Sequence, residues 1–223
     1  MEKYSLLLSV LRSFEENDVL KHFILVGSWC LDIYRQLYKD PAVIPATRTM
    51  DADILVPKRL SPKLRLDVHQ LMEDNGFICE TDYPSGFHRF IHPDLNVEFL
   101  TNAGAKSDAS VHRFKQLGIT VQELRYMNIP LQYPMTVTID GIEVTVPEPE
   151  AFTLHKLIVI TLRKDEAKAQ KDLEAAIGLL LYFEDKPDHM TRLREIYAGF
   201  PKGWKKKVDA GLKKAGSSVV VTW

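Results

Sequence analysis

The stretch "ATRTMDADILVP", residues 46–57, sets two aspartates one residue apart at the head of an apolar run. A strand entering a core gains nothing from Asp51 and Asp53 side by side, because like charges repel and resist desolvation. Residues two apart in a strand point to the same side, and at about 3.3 Å of rise per residue their backbones stand about 6.6 Å apart. Two Mg²⁺ ions about 3.5–4 Å from each other fit between carboxylates so placed. Asp53 is expected to bridge both ions and Asp51 to hold one side. Glu98, in "NVEFL" (96–100), is the natural third carboxylate from a neighbouring strand.

Such a pair of ions needs a phosphate to act on. Upstream, "HFILVGS" (22–28) reads as a short buried strand running into a turn at Gly27 and Ser28. A helix follows at once, with Trp29, Cys30, Ile33, Tyr34 and Leu37 at helical spacing and Ser28 placed as its N-cap. Backbone N–H groups at a helix start favour an anion, so Gly27 and Ser28 are candidates to hold the triphosphate of a nucleotide.

Further along, residues 4–16 predict an amphipathic helix, and Pro41 and Pro45 punctuate a loop. "SPKLRLDVHQLMEDNG" (61–76) opens on a Ser cap and a first-turn Pro and closes on Gly76, predicting one helix throughout. "HRFIHPDLNVEFLT" (88–101) predicts two strands joined at Pro93 and Asp94, and residues 105–133 a helix and loops. "MTVTIDGIEVTV" (135–146) is a hairpin turning at Asp140 and Gly141. "PEPE" (147–150) breaks the pattern, the rest reads as nearly all helical, and "SSVVVTW" (217–223) as a terminal strand or anchor.

With 223 residues, 45% hydrophobic, and 29 Lys and Arg against 30 Asp and Glu, the chain has a sizeable core and no global field drawing it to nucleic acid or membrane. Cys30 and Cys79 match no metal or redox spacing and are expected to be reduced core residues of a cytoplasmic protein. Arg12, Glu15 and Glu16 interrupt the N-terminal apolar patch, which argues against a signal or membrane span. His88 and His92 lie four apart in a strand without a third ligand, which argues against zinc. "NAGAKSD" (102–108) lacks the first glycine of a Walker A motif and reads as a connecting loop.

In combination, "VGS" before a helix, then "RTMDADILV" (48–56), then "NVEFL" resemble the nucleotidyltransferase superfamily with the polymerase β-like fold, over about residues 20–102. The resemblance implies an α/β (α+β) catalytic domain with a mixed sheet at 1–146 and a helical domain at 147–223. It also implies Mg²⁺-dependent transfer of a nucleoside monophosphate from an NTP to an acceptor, with release of pyrophosphate. The interval from Ser28 to Asp51 (51 − 28 = 23) is longer than in many members and implies an inserted loop at about 38–49. Arg48 and Thr49 are adjacent, whereas many members separate them by one residue.

The second half, "PEPEAFTLHKLIVITLR" with "KDLEAAIGLL", resembles the helical part of abortive-infection and toxin-type nucleotidyltransferases. By that resemblance Lys156 contacts the nucleotide phosphates, and Asp172 orients it or supports the active site. The residues alone also allow a surface lysine at 156, and Asp172 as partner of Arg163 or Lys168. The acceptor stays open between RNA, a small molecule and a protein side chain, and no membrane partner is expected. The competing reading is a nucleotidyltransferase fold that binds a nucleotide or a protein without catalysis.

Overall fold

The structure, a computed structural model, describes residues 2–39, 41–46, 49–103 and 110–216. Arg48, the loop read at 102–108 beyond Ala103, and the strand read at 217–223 lie outside the described residues. The chain divides into two compact units, Met1–Cys30 with Arg48–Pro147 and Leu31–Thr47 with Glu148–Trp223.

The first unit opens with α1 (Glu2–Glu16), whose Leu7, Val10, Leu11 and Phe14 recur at helical spacing and are buried. After a single 3₁₀ turn come β1 (Ile24–Val26) and α2 (Trp29–Leu37), which carries the chain into the second unit. The first unit resumes with β2 (Asp51–Leu55), α3 (Val68–Asp74), β3 (Ile78–Thr81), β4 (His88–His92) and β5 (Leu95–Asn102). It ends with β6 (Val111–Phe114), β7 (Ile119–Leu124), α4 (Asn128–Gln132), β8 (Pro134–Ile139) and β9 (Ile142–Pro147).

Among the described residues the main sheet has seven strands, with β1, β2, β5, β4 and β3 in that order and β7, backed by β6, pairing the far end of β5. It is mixed: β2–β5 and β5–β7 are parallel, the other pairs antiparallel. The β8–β9 hairpin turns at Asp140 and Gly141, both at positive φ (48° and 81°), the geometry a two-residue Asp-Gly turn requires.

The sheet has two different faces. On one, Phe14, Phe23, Phe90 and Phe99 meet edge to face at 5.3–6.2 Å and form the aromatic core. On the other, Ile24, Val26, Leu55, Leu100 and Met127 form a smaller apolar cluster, closed by Leu124 and Leu131.

The structure departs from the expected elements in two places. The third helix starts at Val68 rather than Ser61: Asp67 caps it by accepting from the Gln70 N–H (3.1 Å), while Leu66 and Val68 donate to Gln116 and Leu117. Those pairings hold 61–67 out of the helix, and Ser61 makes only a local turn with Lys63 and Leu64. Within 105–133, β6 and β7 form a hairpin in place of the expected helix and loops, and the only helix among the described residues there is the short α4. The register that recruits β7 lies on the distant β5, outside any local sequence window.

The second unit is helical: α5 (Pro149–Ile160), α6 (Glu166–Phe183), α7 (Pro187–Gly199) and α8 (Lys202–Ala215). Pro149 and Pro187 sit at helix starts, where a missing N–H costs nothing. Helix α5 is buried almost all round, as a helix enclosed by α6, α7 and α8 should be. The closest approach is at Gly211 of α8, where a Cβ would fall 2.2 Å from the Leu157 carbonyl oxygen. The loop at Val43–Pro45 lies nearly as close on α6 at Gly178, where a Cβ would fall 2.5 Å from the Val43 carbonyl oxygen, and Tyr38 stacks on Tyr182 at 4.3 Å. Among the described residues no helix is long and apolar enough to cross a membrane.

Candidate active site

Strand β2 places Asp51, Asp53 and Leu55 on one side, and its parallel pairing with β5 sets Asp53 beside Glu98, Asp51 beside Asn96 and Leu55 beside Leu100. Leu55 and Leu100 enter the smaller apolar cluster. The acidic residues occupy the same face one and two steps further along, where Asp51 is exposed and Asp53 and Glu98 are half-buried. Neighbouring strands are about 4.8 Å apart, so the three expected carboxylates share one patch.

Strand β1 brings the turn to the same place. Val26 pairs with Asp53, and Gly27 follows at φ +75°. A Cβ on Gly27 would lie 2.2 Å from Asp53 Oδ2, so only glycine lets this carboxylate rest on the backbone. Ser28, half-buried, comes next and leads into α2. Gly27 is thus brought against Asp53, with Ser28 next to it in the chain.

Two residues that the sequence reading passed over complete the patch. Arg89 Nε donates to Glu98 Oε1 at 2.6 Å across the β4–β5 pair, and Asn96 Nδ2 donates to Asp51 Oδ1 at 3.0 Å. Both offset the repulsion among the carboxylates. The signal for them is strand register, which a single strand does not display. The Asp51 N–H is held by Thr49 Oγ1 at 3.1 Å. Clustered carboxylate oxygens are the donor set that hard divalent ions prefer, so the residues fit Mg²⁺.

In the second unit, Lys156 and Asp172 meet each other. Lys156 Nζ donates to Asp172 Oδ1 at 2.5 Å and Arg163 Nε to Oδ2 at 2.8 Å, with Lys156 8% and Asp172 4% exposed. Lys156 is therefore no surface lysine, and Asp172 takes Arg163 rather than Lys168 as its further partner. Burial pushes the Asp172 carboxyl up, but Lys156 and Arg163 outweigh it and hold the group below the usual carboxylate range. Next door, burial depresses His155 to about 3, and its Nε2 has no hydrogen-bond partner among the described residues. Of the cysteines, Cys30 is buried as expected, whereas Cys79 is only half-buried, because β3 is the edge strand.

Comparison with known proteins bears on the whole arrangement. A family model described as nucleotidyltransferase matches residues 5–193. The fold resembles that of ANT(2″)-Ia solved with adenylyl-2″-tobramycin, at 11% identity and a TM-score of 0.51, covering 96% of this chain and 99% of that one. An antigenic nucleotidyltransferase-like protein from Paracoccidioides brasiliensis aligns at 16% identity over 92% of both chains, with a TM-score of 0.45. No curated protein matches the chain at a significant level of sequence similarity. With the family match running from α1 into α7, through the acidic β2 and β5 strands and the Gly27 turn, the chain belongs to the nucleotidyltransferase family.

Proposed function

We propose that the protein transfers a nucleoside monophosphate from a nucleoside triphosphate to an acceptor hydroxyl at the patch formed by Asp51, Asp53 and Glu98. Asp51 or Glu98 would take the proton of the acceptor hydroxyl, the new bond joins the acceptor oxygen to the α-phosphorus, the α–β bridging bond breaks, and pyrophosphate leaves. The observation that carries this reading is Asp53, held beside Glu98 by parallel register and against the Gly27 backbone by the absence of a Cβ. Asp51, Asp53 and Glu98 would hold two Mg²⁺ ions, which supply charge neutralisation at the phosphates. The backbone at Gly27 and Ser28, at the start of α2, would receive phosphate oxygens. Lys156 is proposed as a nucleotide-phosphate contact, with Asp172 orienting it. The 1–146 part would be the catalytic domain and 147–223 the helical one. The two free cysteines fit a reducing, cytoplasmic setting.

The test incubates the protein with each labelled triphosphate, Mg²⁺ and a cell extract, and asks which size fraction takes up label. Label in one fraction with matching pyrophosphate is expected, and its loss in Asp53→Ala. Turnover of Asp53→Ala within a few-fold of the parent would remove the carboxylate site. Mg²⁺-dependent nucleotide binding without pyrophosphate release would favour the non-catalytic binding module.

A further inference from the structure

On the sheet face opposite the carboxylates, a second group of ligand-type side chains converges. His69 projects from α3, Cys79 from β3 and His88 from β4, each half-buried, and one ligand atom from each lies within 4.8 Å of the other two. Cys79 pairs with Phe90, and His88 stands two residues before Phe90, so both point to the aromatic-core side while Arg89 between them turns to Glu98. The His69 and His88 rings touch at 4.7 Å. We propose that His69, Cys79 and His88 bind one divalent transition ion of the Zn²⁺ class, tying α3 to the β3–β4 hairpin.

The donor set is the first reason. One thiolate and two imidazoles suit borderline ions such as Zn²⁺, whereas the carboxylate patch suits Mg²⁺, so the two sites would select different metals. Distances are the second. Zn–N bonds of about 2.0–2.1 Å and a Zn–S bond of about 2.3 Å put tetrahedral ligand atoms about 3.3–3.7 Å apart. Ligand atoms already within 4.8 Å reach that by side-chain rotation of about 1 Å. Partly exposed ligands leave the fourth position to water.

The surroundings agree. His69 Nε2 lies 3.2 Å from the Gly118 carbonyl oxygen, to which it donates in the tautomer that leaves Nδ1 free to ligate. Glu73 and Glu80 place negative charge near Cys79, which favours a cation there, and a bound ion deprotonates a coordinating thiol. A neutral His88 has one lone pair, now accepting a long 3.3 Å hydrogen bond from the Thr120 N–H, and the ion competes for it.

The test adds Co²⁺ or Zn²⁺ to the full chain. Expected are one equivalent of tightly bound Co²⁺ with a thiolate-to-cobalt charge-transfer band, a rise in melting temperature with Zn²⁺, and a shift of the Thr120 amide resonance. The band should vanish in Cys79→Ser, weaken in His69→Ala, and persist in Asp53→Ala and Cys30→Ser. All four variants are checked for parental circular dichroism. Absence of the band in the parent protein, or its survival in Cys79→Ser, would overturn the site, and neither outcome bears on the carboxylate patch.

Discussion

Gly27 holds the acidic patch together at the level of a single residue. In Gly27→Ala the new Cβ meets Asp53 Oδ2 at 2.2 Å and the backbone sits at φ +75°. The left-handed backbone costs about 1–2 kcal/mol for a residue with a side chain, while Asp53 is displaced from its seat. The expected result is a folded protein with a modestly lower melting temperature and at least tenfold slower nucleotidyl transfer; a parental rate would show that the seat is not needed. His155 has a different signature. Its unfolded value is 6.5 and its folded value about 3, so between those pH values the unfolded chain binds the extra proton. Stability should therefore be unaffected by this group above pH 6.5 and fall, as pH drops toward about 3, by up to roughly 1.4 kcal/mol per unit. Denaturant melts of His155→Leu across that window should show a correspondingly flatter acid limb.

At the scale of elements, α5 and α6 are joined by the Lys156–Asp172 pair, with Arg163 as a half-exposed third member. Removing one partner of a buried pair strands the other, so Lys156→Ala should cost about 3–5 kcal/mol, against little for the exposed Lys168→Ala. Replacing both partners by apolar groups, Lys156→Met with Asp172→Leu, should restore most of the stability. That stable double variant separates the two roles. If Lys156 contacts nucleotide phosphate, its nucleotide affinity stays low, whereas recovery of affinity along with stability would make the pair purely structural. The depressed Asp172 pKa adds stability that is complete well above 3.8 and is lost only as pH falls below it. Its acid window is thus lower than that of His155.

For the whole molecule, a ligand that binds only the folded chain raises its melting point by mass action. At a hundredfold excess over Kd a nucleotide adds about 2.7 kcal/mol, or about 5–10 °C for a chain of this size. Mg²⁺ should raise the melting temperature and a triphosphate raise it further, with the second increment lost in chelator. Equal nucleotide stabilisation with and without chelator would point to metal-independent binding.

The order of strand, Gly-Ser turn, helix, Asp-x-Asp strand and acidic strand was readable because each signal acts over a few residues: alternation, helical spacing, a turn residue, a cap. The Asp140–Gly141 hairpin and the helical second half were legible for the same reason. What tertiary structure alone decided was pairing between distant segments. Register on β5 set Glu98, the carboxylate already expected from a neighbouring strand, directly opposite Asp53, brought Arg89 onto Glu98, and recruited β7 from a stretch without a clear local pattern. The start of α3 moved to Val68 because residues near Leu117 took the preceding backbone N–H groups. Lys156 carries the same positive charge on a helix surface or in a core, and only the burial of α5 made it a partner of Asp172. Cys79, His69 and His88 match no spacing rule because three separate elements bring them together. Short-range preferences are written into a sequence window, whereas register and burial depend on which remote side chains compete for the same space.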